Sequence, residues 1–253
     1  MAPEQTPPTA SGPDLTPPGT DTAPDSIVDQ VLDGAARAAV AVKPKLRGWL
    51  HAGMAPISLV AGIVLVVRSP TTAAVWTTAV FALSAVLLFT MSAVYHLGTW
   101  SPRVTGVLRR FDHSNIFLII AGTYTPLTAL LLPHSTAVVL LWVIWSGAVL
   151  GLLGRVFWLD APRWLYTPLY VILGSAAMGY LGGFAKAPNG GAVIVWLVAG
   201  GGVAYILGAA VYATKWPNPS RRWFGFHEVF HTLTVIGFSC HYIAVSIAAY
   251  GAV

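Results

Sequence analysis

From Trp49 onward the apolar residues fall into blocks of about 20, and nearly every gap between blocks is marked by Pro, Asn, Arg or Asp. A helix rising 1.5 Å per residue needs about 20 apolar residues to cross a hydrocarbon core of about 30 Å. The pattern therefore predicts seven transmembrane helices, over 49–67, 73–97, 111–132, 136–157, 164–184, 192–214 and 226–249. Strands of a membrane barrel are short and alternate apolar with polar, which these blocks do not. Short gaps make consecutive helices antiparallel neighbours, and no internal period suggests a repeat. The expected fold is an all-α integral membrane protein, a seven-helix bundle over residues 46–253.

The first 45 residues follow another pattern. MAPEQTPPTASGPDLTPPGTDTAPDS is rich in Pro, Thr and Asp and has almost nothing to bury, which predicts disorder. Ile27, Val28, Val31, Leu32, Ala35, Ala39 and Val40 then recur at helical spacing, as in a short amphipathic helix lying at the membrane surface. No apolar core follows the start within 25 residues, so no cleavable signal peptide is expected.

Composition agrees: 56% of the residues are hydrophobic and 9% charged, where soluble domains carry roughly 25% charged residues. The basic residues add an orientation. Of the 14 Lys and Arg, all but Arg68 and Lys186 fall before the first span or in or flanking the gaps between spans two and three, four and five (Arg155 and Arg163), and six and seven. Cytoplasmic loops retain Lys and Arg, so the N-terminus is expected inside and the C-terminus outside, in a multi-pass protein of the cell membrane. The net charge of +5 reflects this asymmetry and requires no nucleic-acid partner.

With depth assigned, the string HEVFH, His227 to His231, becomes a candidate site in the cytoplasmic half of span seven. Span two ends inside as MSAVYHLGTW, carrying Ser92 and, one turn on, His96; span three restarts there as FDHSNIFLII, carrying Asp112 and His113. His51, two residues into span one, sits at a similar height. Only three acidic residues follow position 45, namely Asp112, Asp160 and Glu228, and two belong to this group. Polar groups at membrane depth cost a few kcal/mol each unless paired, so their clustering marks function.

Histidines at i and i+4 of one helix reach one Zn²⁺, and a third nitrogen with one position left open is the geometry of a catalytic zinc. His96 is the natural third ligand of His227 and His231, with Asp112 to orient or deprotonate a water and Ser92 to hydrogen-bond it or a substrate oxygen. His51 or Asp112 could instead close the fourth position. HExxH is also the spelling of zinc peptidases. The extended HExxHxxGxxH form fails here, since Thr234 and Gly237 stand where Gly and His are required. His241 is ten residues of helix, about 15 Å, from His231. An LDG, the partner motif of intramembrane peptidases, occurs only at Leu32-Asp33-Gly34, ahead of the HExxH. Glu228 then belongs beside the site, not at its chemistry.

SAVYH (Ser92 to His96), FDHSNIFLIIAGTYTP (Phe111 to Pro126) and HEVFHTLTVIGFSCHYIAV (His227 to Val245), in this order and spacing, resemble the hemolysin III family. That family is the bacterial branch of the superfamily that includes the adiponectin receptors. GGVAYILGAAVYATKWPNP also fits, and the resemblance covers roughly residues 47 to 249. It implies zinc on His96, His227 and His231, with Asp112 and Ser92 around a water, and the inside N-terminus that the charges predict; depth in the spans places His51, His113 and Glu228 close by. One departure is KPKLRGWLH, basic where members often carry Glu and Asn before the His51 position. The resemblance implies zinc-dependent hydrolysis of a lipid amide or ester, ceramide-like, entering from the inner leaflet. The alternative it leaves is a lytic or structural protein in which zinc staples spans two and seven. Cys240, the only cysteine, is too far along span seven to close the site.

Overall fold

The computed structural model describes residues 44–158 and 163–252. Its helices are α1 (Trp49–Val67), α2 (Thr72–Leu97), α3 (Pro102–Leu131), α4 (His134–Phe157), α5 (Arg163–Ser175), α6 (Leu181–Lys186), α7 (Ala192–Thr214) and α8 (Phe226–Tyr250). A 3₁₀ turn over Ala176–Tyr180 joins α5 to α6, and the three together make the fifth of seven spans long and apolar enough to cross a membrane. No strand occurs among the described residues. Lipid cannot satisfy a backbone N–H or C=O, so a span must do so internally, and a helix does. The expectations for the N-terminal segment fall almost wholly on residues 1–43, outside the described residues.

The expected boundaries hold within a few residues except at the third span, expected to begin at 111. There α3 begins at Pro102, because the Ser101 hydroxyl accepts from the Val104 N–H at 3.5 Å and Pro102 occupies the first helical turn. Arg103, Arg109 and Arg110, read as loop, ride on its early turns. An apolar window detects only the part of a helix that lies in lipid, and these turns extend beyond it.

Consecutive helices pack on one another, and α8 closes the bundle against α7, α3 and α1. The central helix is α3, with 72% of its apolar window buried against 22% for α1 and for α4. Its neighbours approach closely because side chains are small where they meet: a Cβ on Gly122 would stand 2.1 Å from the Ser84 Oγ of α2. Such contacts supply van der Waals packing where lipid removes the hydrophobic drive between helices. Phe81 and Phe89 of α2, Phe117 of α3 and Phe238 of α8 fill the interior, with Phe89 edge-on to Phe238 at 5.0 Å. Trp142, Leu150, Ile172 and Trp196 point outward, as lipid-facing side chains do. Asn115 Nδ2 donates to the Leu87 carbonyl at 3.1 Å and the Tyr242 hydroxyl to the Ala61 carbonyl at 2.9 Å, tying α3 to α2 and α8 to α1. The Tyr124 hydroxyl of α3 donates to the Gly174 carbonyl and accepts from the Ala177 N–H, holding the 3₁₀ turn.

One end of the bundle, where α1, α3 and α8 begin and α2 and α7 end, positions the polar residues. The chain ahead of α1 is tied there to the α7–α8 loop by Lys45 N–H to Arg222 carbonyl (3.0 Å) and Leu46 N–H to Trp223 carbonyl (3.2 Å). Gly48 turns into α1 at φ +86°, and a Cβ there would lie 2.8 Å from the Cβ of His96. Both the backbone angle and the space require glycine.

Candidate metal centre

The last turn of α2 presents His96, with Ser92 one turn before it; the first turns of α8 present His227 and His231 one turn apart. The three imidazoles converge, with one ligand nitrogen of each lying within 4.8 Å of the others. His96 Nε2 and His227 Nε2 are 3.1 Å apart. Nitrogens bound tetrahedrally at roughly 2.0–2.1 Å stand about 3.4 Å apart, so the cluster has the spacing a metal ion asks for. Ring centroids are separated by 4.7 Å (His96 to His227), 4.5 Å (His227 to His231) and 5.3 Å (His96 to His231). His96 and His231 are buried and His227 is partly exposed.

Asp112, on α3, brings Oδ2 to 3.8 Å from His96 Nε2 and hydrogen-bonds the Ser92 side chain. The five residues expected from sequence at the chemistry, His96, His227, His231, Asp112 and Ser92, thus meet in one place. The three assigned to its surroundings divide. His51 stacks flat on His231, with centroids 3.8 Å apart and planes at 4°, and neither of its ring nitrogens has a hydrogen-bond partner among the described residues. Glu228 faces away from the cluster. Its Oε1 accepts from Arg47 Nε at 3.0 Å and its Oε2 from the Gly225 N–H at 2.7 Å, capping α8. His113 turns towards α4, where its Nδ1 lies 2.8 Å from Arg155 Nη2, and it lines the cavity beside the cluster.

Arg47 and Arg155 are contributors that sequence reasoning passed over. A signal existed for each. Arg155 is an arginine at the end of an apolar span, a position that demands a partner. Arg47 stands where the resemblance leads one to expect an acidic residue, and it meets the one acidic residue of HEVFH. His241 behaves as its distance implied: it pairs with the Val198 carbonyl at 3.2 Å and packs on Tyr205, apart from the cluster.

Beside the histidines lies a cavity of about 140 Å³. Its wall includes Ser92, Asp112, His227 and His231 at one end and Met178 and His241 at the other. Since His231 and His241 are ten residues apart on α8, the cavity runs about 15 Å into the bundle. Ile116, Ile120, Val171 and Ile206 line the middle, which is mostly apolar.

Seven membrane-spanning helices with three convergent histidines at one end of an apolar cavity define a class: multi-pass membrane proteins with a buried potential metal centre. A family model described as "Haemolysin-III related" matches residues 40–242. The chain belongs to that family, as a multi-pass protein of the cell membrane. It is 31% identical over 137 residues to "Hemolysin-3" of Bacillus cereus and 30% identical over 139 residues to "Hemolysin-3 homolog" of Bacillus subtilis (strain 168). These matches cover 53% and 54% of this chain, and the chain spans 62% of the length of each relative.

Proposed function

We propose that the protein is a zinc-dependent hydrolase of a lipid amide or ester, acting from the cytoplasmic leaflet. The observation that carries this reading is the cavity, which joins the histidine cluster and Asp112 to an apolar passage about 15 Å deep, the shape of an acyl chain. A helix-stapling ion needs no such passage. His96, His227 and His231 would hold the zinc. Zinc, when bound, supplies Lewis acidity, lowering the pKa of a water towards about 7 and polarising a carbonyl.

The remaining steps belong to side chains. Asp112, anchored by Ser92, orients the attacking water and takes its proton as the water oxygen bonds to the acyl carbon. The same proton then passes to the departing amine or alcohol as the C–N or C–O bond breaks, leaving a fatty acid. The apolar wall holds the chain and excludes bulk water. Glu228, the residue that would be the base of a peptidase, is committed to Arg47 and to the helix cap.

Orientation is part of the proposal. Lys45, Arg47, Arg103, Arg155, Lys215 and Arg222 gather at the end that carries the histidines, which supports a cytoplasmic placement of that end. The test has two arms. Purified wild type is expected to release fatty acid from a panel of long-chain amides and esters, to lose this on chelation and to regain it with zinc. Asn218→Cys on a Cys240→Ala background is expected to be labelled only after permeabilisation. Absence of any release, with a sharp drop in melting temperature on chelation, would replace hydrolase by stapling; labelling of position 218 from outside would invert the topology.

A further inference from the structure

The end of the cavity farthest from the histidine cluster carries His241 of α8. Its ring lies against a bare stretch of α7. A Cβ on Gly201 would stand 2.5 Å from His241 Cδ2 and 2.6 Å from Nε2, so α7 needs a glycine there for the ring to approach. One turn before Gly201, the Val198 carbonyl is 3.2 Å from His241 Nε2; one turn after it, the Tyr205 ring packs on the imidazole with centroids 5.4 Å apart. A carbonyl only accepts, so Nε2 carries the proton and donates.

Nδ1 is left buried, with no hydrogen-bond partner among the described residues. A second proton there would make an unpaired cation in an apolar wall, so the ring is neutral and Nδ1 is a bare acceptor. Because the Cδ2–Nε2 edge faces α7, Nδ1 lies on the opposite side of a ring that forms part of the cavity wall. Phenylalanine would fill the same space without an unmet acceptor, so packing alone does not call for histidine. Thr123 and Thr234 also line the cavity. Each gives its hydroxyl proton to a carbonyl of its own helix, Ile119 at 2.7 Å and Phe230 at 3.0 Å, which leaves its oxygen as an acceptor. These groups call for a donor from whatever occupies the passage.

We propose that His241 Nδ1 accepts a hydroxyl carried by the acyl chain, which makes the substrate class an amide or ester of a chain hydroxylated far from its carbonyl. The proposal rests on the hydrolase reading, which places the carbonyl at the histidine cluster; ten residues of α8 then set the hydroxyl about 15 Å along the chain. A hydroxyl is the donor that suits the place. An ammonium would bring a charge into an apolar passage, and a keto oxygen has no proton to give.

The full-length protein in lipid nanodiscs tests this with four acyl amides of one chain length: unsubstituted, hydroxylated at that distance, hydroxylated beside the carbonyl, and bearing a keto group at that distance. Wild type is expected to bind the distally hydroxylated amide about tenfold more tightly than His241→Phe does, and the other three no more tightly than the variant. Comparing each amide between the two proteins cancels its partition into lipid. His241→Phe is expected to melt at or above the wild-type temperature, since it removes an unmet acceptor. In wild type, ¹⁵N NMR of labelled histidines, with His241 assigned by its loss in His241→Gln, is expected to show Nδ1 unprotonated and to shift it with the distally hydroxylated amide alone. A protonated Nδ1, an Nδ1 signal that no amide moves, or the same affinity ratio for all four amides overturns the proposal. None of these readouts needs turnover. Preference for the distally hydroxylated amide without release of fatty acid upholds the subsite while the hydrolase reading falls; release from plain and hydroxylated chains at equal kcat/KM, with no difference in binding, keeps the hydrolase and removes the subsite.

Discussion

Replacing His96 by alanine is expected to empty the metal centre while leaving the bundle folded. The apparent binding energy of a four-ligand zinc site is about 10–16 kcal/mol, so one ligand is worth roughly 3–4 kcal/mol, or 10²–10³ in affinity. Purified wild type should carry about one zinc per chain; His96→Ala, His227→Ala and His231→Ala should each lose it in dialysis against a weak chelator. His134→Ala is the control, because His134 begins α4 at the opposite end of the bundle from the cluster. The His96 variant is the most informative of the three. His227 and His231 share a helix and would be close in any fold that keeps α8, whereas His96 belongs only if the end of α2 packs against the start of α8. Stoichiometric zinc retained in that variant would remove α2 from the site.

The second large effect separates chemistry from scaffolding. Asp112→Asn preserves the volume and the hydrogen bond to Ser92, so zinc content and melting temperature should stay near wild type. It removes the proton acceptor, and fatty-acid release should fall by about 10²–10⁴. Glu228→Gln should do the reverse. Glu228 accepts from Arg47 and from the Gly225 N–H, so losing its charge costs about 1–3 kcal/mol of stability while turnover stays within about tenfold of wild type. A peptidase reading of HEVFH predicts the opposite pair of results. If Asp112→Asn releases fatty acid at the wild-type rate, the aspartate has no part in the reaction.

The two arginines show why part of the site escaped a reading of the chain. Arg47 and Glu228 are separated by 181 positions, and Arg155 and His113 by 42. Each pairing depends on which face of a helix turns inward, and in lipid-exposed helices that face is poorly marked by apolar periodicity, because lipid and core are equally apolar. The early start of α3 escaped for a related reason: its first turns are polar and interfacial, and only the cap at Ser101 with Pro102 betrays them.

Block length, motif spacing and the distribution of charge were enough to establish seven spans and to bring His96, Asp112, His227 and His231 to one level, because bilayer thickness converts position in a span into depth. Depth is a single coordinate. The rotation of each helix about its axis was decided by packing, where Gly122 lets α3 close on α2 and Gly48 lets the chain pass over His96. That rotation aims Glu228 at Arg47, away from the cluster, and His113 at Arg155. It also opens a cavity between the spans, which no single span encodes, since a cavity is the space that several packed surfaces leave unfilled.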